Sequence, residues 1–485
     1  MKNIFDRTLK NSLALFSVYY LLIYLVLVYF RIQYPFELEW MEGGAVDHVR
    51  RILDGKGLYV SPSIEFVPFI YTPLYYYIAA IVSRITGAGF FPLRLVSFLA
   101  SIGCMSVIFA LVKKETGRPF YALAAAGLFA ATFRLSGAWF DIARIDSLFL
   151  FFLLAALYQI RFSKNNWSPC AAAFWITMAF FTKQTTLMII PFVVIYYYLT
   201  NPKLCFIFTG SVTAFIWPAT WAINYIHQGW FFYYIFDVPK QHQVLRGMLW
   251  FFIQNDLLRP LWIAYALATV HFFIGTHRKN VFAFYILMSI GMTSASLMSR
   301  LHTGGYSNVL FPAYAFIAIL FGLSLKTILE SRHTWIRWIF GSGCALQFLL
   351  VFYNPLLQIP SQKDVENGRK FISELSSIDG DVLVPYHGFL PAMANKKSYA
   401  QGMAVYDVAR AQDQNGARLI NEFTQAVKNG KFKAIVLDSN RDLIPWDLNN
   451  VYQSYKPKKD LFEDLDVYWP VTGMRTRPQI IYVRK

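Results

Sequence analysis

The chain is 485 residues long, 56% hydrophobic and 18% aromatic but only 15% charged, with a mean hydropathy of +0.39. One water-soluble core cannot enclose that much apolar surface, which excludes a soluble enzyme and predicts a polytopic α-helical membrane protein. Its net charge of +17 comes from small basic groups scattered between apolar runs, so it reads as a topology signal and no nucleic-acid partner is expected.

Residues 12–30, SLALFSVYYLLIYLVLVYF, are about long enough to cross a ~30 Å hydrocarbon layer. Lys2, Arg7 and Lys10 precede them, but the run is too long for a cleaved leader and no small-residue cleavage site follows, so it is a retained first span. Next comes FELEWMEGGAVDHVRRILDGKGLY, 36–59, which crowds Glu37, Glu39, Glu42 and Asp47 where that helix surfaces. Ala45, Val46, Val49, Ile52 and Leu53 recur there at helical spacing and predict an amphipathic helix on the membrane surface, ended at Gly55 and Gly57. FIYTPLYYYIAAIVSRITG, 69–87, is apolar enough to span, yet counting it inverts every basic link downstream. It reads as a juxtamembrane or re-entrant helix beginning near Pro73, with Tyr71, Tyr75, Tyr76 and Tyr77 at interfacial depth; a twelfth span is the alternative.

Ten further apolar runs follow, at 95–112, 119–133, 147–161, 169–182, 185–199, 204–223, 257–275, 281–298, 309–325 and 335–353. The basic links 113–118, 161–165, 201–203, 276–280 and 326–337 share one side with the N-terminus if the chain has eleven spans. Loops 31–93, 134–146, 224–256 and 299–308, the turn at Lys183 and the C-terminal tail then face outward. The four cysteines show no metal spacing and the tail has none, so neither a disulfide nor a zinc site is expected. From 361 the composition changes: DVENGRKFISELSSI and NGARLINEFTQAVKNG have helical periodicity, and DVLVPY, KAIVLDS and QIIYVRK read as short buried strands. The predicted plan is a membrane domain over 1–355 and a small extracytoplasmic α/β domain over 361–485, which carries no glycine-rich nucleotide loop. No internal repeat is visible, so an inverted-repeat transporter plan has no support.

The polar residues concentrate in the outward loops. Glu42, just before Gly43 and Gly44 and without an evident local cation, is the leading candidate for a general base. Asp47 has the plainer alternative of an ion pair with Arg50 or Arg51. In WFDIARIDSLFLFF, 139–152, Asp141 and Arg144 can share a helix face and Asp146 is placed to cap the next helix. Two acids and an arginine at a lipid boundary still call for a function, because a charge in the bilayer centre costs ~2.5–3.5 kcal/mol even on mild scales. FFTKQTT, 180–186, sets Lys183 and Gln184 in a tight turn where a lysine also has the option of snorkelling. SRLHTGGYSNVLFP, 299–312, gathers Arg300, His302, Tyr306 and Asn308 around a glycine pair suited to an anion or to an ordinary turn. Acids in two loops and cations in three suit a site that neutralises a departing phosphate while a carboxylate takes a proton.

The order of EWMEGGAVDHVRRILDGKGLY, IYTPLYYY, FDIARIDSLF, FTKQTT and GGYSNVLFP resembles the GT-C superfamily of membrane glycosyltransferases, which includes protein O-mannosyltransferases and the aminoarabinose transferases of lipid A. The resemblance implies transfer of a hexosyl or pentosyl group from a polyprenyl-phosphate carrier to an extracytoplasmic glycan, lipid or protein acceptor. It implies a membrane enzyme of cell-envelope glycan synthesis, in the bacterial inner membrane. By similarity Glu42, or failing it Glu39, is the first-loop acid and Asp141 or Asp146 the second, with Asp47 the remaining choice. Arg144, Lys183 and Arg300 would meet the donor phosphate, with Gln184, His302, Tyr306 and Asn308 around it. One base and one leaving group imply inversion. The sequence fixes no cofactor and leaves a divalent metal open. The competing class is a transporter or flippase of lipid-linked glycans, with the same cations and no base; a scaffold whose tail binds a partner would need none of these charges.

Overall fold

The computed structural model describes residues 2–163, 165–274, 278–438 and 448–485. Lys164, residues 276–277 and Ser439, which belong to two expected basic links and one expected strand, lie outside the described residues.

Each of the eleven apolar runs forms a helix: Lys2–Ile32, Phe90–Thr116, Pro119–Ala131, Asp146–Phe162, Ser168–Thr182, Ile190–Thr200, Pro202–Ile226, Arg259–Ile274, Lys279–Leu301, Phe311–Leu329 and Thr334–Leu350. Among the described residues five segments are long and apolar enough to cross a membrane, Ile4–Ile32, Phe90–Thr116, Pro202–Ile226, Lys279–Leu301 and Ser307–Leu329, and Thr334–Leu350 joined to the helix beyond its 49° bend makes six. The others are shorter, and 13 residues in Pro119–Ala131 rise only about 20 Å. The first helix shows why this is a membrane fold. Leu13, Tyr20, Tyr24 and Leu27 are buried, while Leu15, Leu22, Val26 and Tyr29 are exposed, so both faces are apolar. One face meets protein and the other meets lipid. Pro119–Ala131 is almost wholly enclosed, and Gly127 lets it approach Ser17 of the first helix so closely that a Cβ would sit 2.5 Å from the Ser17 Cα.

The helix ends sort by charge. Arg161 pairs with Glu115, Arg337 with Asp6 at 3.4 Å, and Lys326 donates to the Thr116 carbonyl at 3.1 Å, which gathers three basic links and the N-terminal helix start at one end. At the other end the first helix finishes in Arg31, fully buried, which reaches Asp141 at 2.8 Å and the carbonyls of Ala138 and Gln358. There the loop after the first helix forms the amphipathic helix Glu42–Leu53 and the 13-residue helix Leu74–Thr86, which starts directly after Pro73. His48 pins them together: its ring stacks between Phe69 and Tyr76, and Nε2 accepts from the Phe69 N–H at 2.8 Å.

The tail carries helices Gln362–Ser377, Gly402–Arg410 and Gln414–Lys428 beside a four-stranded sheet of β1 (Val382–Leu383), β2 (Ala434–Asp438), β3 (Tyr455–Asp460) and β4 (Pro478–Arg484). The strand order is β1-β2-β4-β3, with β1 parallel to β2 and the other pairs antiparallel. Ser361 and Asp364 cap Gln362–Ser377 reciprocally, which is why that helix starts where it does. Strand β3, YKPKKD, escaped the sequence reading because it is an edge strand with lysines and a proline and no apolar alternation.

Candidate active site

A cavity of about 530 Å³ lies at the end away from the basic links, roofed by the tail. Its wall includes Glu39 and Tyr71 from the loop after the first helix, Trp139 and Arg144, Lys183 and Gln184, and His302, Tyr306 and Asn308. Met403, Tyr406, Asp407, Arg410, Gly473 and Met474 of the tail close it. The sequence reading had no signal for these last residues, which are far away in the chain and ordinary in type.

Segment 137–145 is a series of turns, not a helix, with Gly137 at φ +74° and Ala138 at φ +56°. Asp141 and Arg144 therefore do not share a helix face. Asp141 turns to Arg31, whereas Arg144 lies against the rings of Phe69, Tyr71 and Trp139, donates from Nη2 to the Tyr71 hydroxyl at 3.2 Å and holds Nη1 3.8 Å from Glu39 Oε2. Asp146 begins its helix but makes no capping bond, because its carboxylate accepts from Lys183 Nζ at 2.7 Å. Gln184 donates to the Ile70 carbonyl at 2.8 Å.

Glu42 lies apart from the cavity. Its carboxylate is fully buried and doubly bonded to Arg94, Oε1 to Nε at 3.0 Å and Oε2 to Nη2 at 2.6 Å. It also accepts from the backbone N–H groups of Leu38 and Ala143. Burial alone would raise its pKa, but the Arg94 charge and these four donations outweigh burial and the net shift is downward. Each of its oxygens thus accepts two hydrogen bonds, and the carboxylate is not part of the cavity wall. The sequence did carry a signal for this partner, since Arg94 is a lone cation directly before the apolar run at 95–112, where a charge demands a reason. Gly43 and Gly44 serve packing rather than substrate approach: Cβ atoms there would meet the Phe389 amide nitrogen at 2.8 Å and the Phe69 ring at 2.6 Å.

Besides Asp407 of the tail, the acid lining the cavity is Glu39. It is closed from bulk water, its Oε1 has no hydrogen-bond partner, and burial drives its pKa up to about 8 against the pull of Arg144, with Glu42 and Glu37 adding to the rise. Glu37 faces the tail, where His387 bridges it to Asp438 at 2.9 Å. Burial alone would lower the His387 pKa, but the two carboxylates raise it to about 10, while burial raises that of Glu37 to about 7 against the pull of His387. Asp47 takes the plainer alternative, pairing with Arg50 at 3.2 Å beside a separate crevice.

Arg300 also has its acid partner away from the cavity. It forms a two-point pair with Asp256 at 2.7 and 3.2 Å, donates to the Gly305 carbonyl at 2.6 Å, and stays behind the cavity wall. The Gly305 N–H is spent on the His302 carbonyl at 2.9 Å, so the glycine pair builds a turn. His302 bonds the carbonyls of Thr303 and Pro239, and Tyr306 packs on Trp139 with ring centroids 5.3 Å apart. Among the described residues no three His, Cys, Asp or Glu side chains converge as metal ligands. The acids lining the cavity are each opposed by a cation, Glu39 by Arg144 and Asp407 by Arg410, as is Asp146 beside it by Lys183, a donor set ill suited to a metal.

Residues 70–223 match the family model for dolichyl-phosphate-mannose-protein mannosyltransferases. No curated protein matches the chain in sequence. Among solved structures, ArnT from Cupriavidus metallidurans in the apo state superposes with a TM-score of 0.61 at 10% identity, covering 96% of this chain and 97% of that one. The same enzyme bound to undecaprenyl phosphate gives 0.58 at 11% identity over the same shares. The oligosaccharyltransferase of Archaeoglobus fulgidus, in complex with Zn and sulfate, gives 0.50 at 12% identity over 86% of this chain and 67% of that one. The chain thus shares its fold with ArnT along nearly its whole length and matches the mannosyltransferase family model over residues 70–223.

Proposed function

We propose that the protein transfers a sugar from a polyprenyl-phosphate carrier to an acceptor hydroxyl on a glycan, lipid or protein, with inversion, and that Glu39 is the base. The observation that carries this reading is a buried cavity where Glu39 Oε1, Arg144 Nη1 and Gln184 Oε1 have no hydrogen-bond partner beside the cation Lys183. Unspent bonding capacity at that depth suits a polar ligand. The undecaprenyl phosphate bound by the similar ArnT supports a lipid-linked donor. In this reading the membrane domain, 1–355, grips the donor and the tail, 361–485, closes over the acceptor.

The donor phosphodiester carries one negative charge and the departing phosphomonoester a second. Arg144 and Lys183 neutralise that growing charge in a site of low polarity, where fixed cations act most strongly. The acceptor oxygen attacks the anomeric carbon from the opposite face as the bond to the phosphate oxygen breaks, and Glu39 takes the hydroxyl proton. A single displacement inverts the centre.

Lys183→Met is expected to weaken binding of polyprenyl phosphate at least tenfold, measured by titration in detergent per folded molecule and repeated in Lys183→Met with Asp146→Asn, since the single change leaves buried Asp146 without its cation. Unchanged affinity would assign the phosphate to other groups. We also propose that the cavity end is extracytoplasmic, in the bacterial inner membrane, since the basic links gather at the opposite end. A reporter active only in the cytoplasm is expected to be silent when fused after Lys485; bright signal would reverse the orientation.

A further inference from the structure

We infer that the tail loop around Thr472 and Gly473 is a positioning element of the reaction, which holds Glu39 in place and keeps water from it; this rests on the reading of Glu39 as the base. The loop is seated by bonds that all end near the acid. Thr472 donates its N–H to the Leu38 carbonyl at 3.2 Å, its hydroxyl accepts from Trp139 Nε1 at 3.2 Å, and the same hydroxyl donates to the Gly137 carbonyl. One loop thus joins the residue before Glu39 to the turns that carry Arg144.

Gly473 then lies directly on the Glu39 side chain. A Cβ there would sit 2.6 Å from Glu39 Cγ and 3.1 Å from Oε1, and the residue's φ of +80° is one that side-chain-bearing residues rarely adopt. Glycine is required both by the backbone and by the contact. Farther along, Thr476 donates to Asp438 at 2.6 Å, the carboxylate that His387 bridges to Glu37, two residues before Glu39. The loop is held at both ends against the segment it covers, so the base is completed by a part of the chain more than 430 residues away in sequence.

The groups whose charge reaches Glu39 most strongly are Arg144, from the 137–145 turns, and Glu37 and Glu42, from its own segment. Arg144 keeps its bond to Tyr71 and Glu42 its bonds to Arg94 when the loop is loosened at Thr472 or Gly473, so the main change at Glu39 is the access of water. A loosened loop therefore lets the acid ionise more easily, and the acid limb of the pH profile of kcat moves to lower pH.

The test uses the full-length protein with a polyprenyl-phosphate sugar. Thr472→Val keeps the shape and removes the hydroxyl bridge, Thr472→Ser restores the hydroxyl, and Gly473→Ala forces the contact. Per folded molecule, Thr472→Val and Gly473→Ala are expected to lower kcat about tenfold or more and to shift the acid limb down by about one pH unit, with donor KM little changed and Thr472→Ser close to normal. An unmoved acid limb, or failure of both loop variants to fold, would make the loop a packing element and overturn the inference. The underlying reading has its own test: normal turnover in Glu39→Gln removes the base assignment, whereas an inactive Glu39→Gln with unmoved limbs in the loop variants removes only the positioning role.

Discussion

Glu39→Gln is expected to lower turnover by roughly 10²–10⁴-fold, the usual worth of a positioned base, while leaving binding of the lipid phosphate nearly intact. Glutamine preserves the shape of the side chain and its contact with Gly473 but cannot accept the acceptor's proton. The same carboxylate sets the pH dependence. Its pKa is raised to about 8 by burial, and only the ionised form acts as a base, so the wild-type kcat is expected to rise as pH passes up through that value and to fall below it. In Glu39→Gln this limb should disappear from whatever activity is left. Rates measured across pH 6 to 10 with a defined donor and acceptor check both points; a variant with normal turnover and the same limb would move the base elsewhere.

Glu42→Gln and Arg94→Met are expected to act on the fold instead. The two side chains are both fully buried, and Arg94 also donates to the carbonyls of Arg31, Tyr34 and Phe36, so the pair ties the end of the first helix to the helix it opens. Removing one member leaves the other charged and enclosed, which costs about 3–5 kcal/mol. The pair also has a pH signature. Because the folded-state pKa of Glu42 lies below the ordinary carboxylate value of 4.5, its stabilisation is complete above that value and is lost as pH falls through the lower folded one. Thermal unfolding in detergent measures both effects. Full stability in Glu42→Gln together with lost turnover would return the base to Glu42.

The sequence by itself determined the class of the molecule and its long helices. Apolar runs of this length have one stable solution in a bilayer, a helix whose backbone groups bond internally, so each run could be read locally. The change of composition near 361 announced the tail in the same way, and the loops bearing Glu39, Arg144, Lys183 and His302 were legible because a charge beside lipid is expensive and stands out. Which acid does what was not legible. Glu39 and Glu42 are three residues apart and chemically identical, and the difference between them comes from Arg94, 52 residues beyond Glu42, and from Gly473, near the other end of the chain. Asp141 and Arg300 were separated from the cavity in the same way, by Arg31 and Asp256. A carboxylate's role depends on its solvation and on which charge lies within a few ångströms, and both are set by contacts between distant segments, so only the tertiary structure decided them.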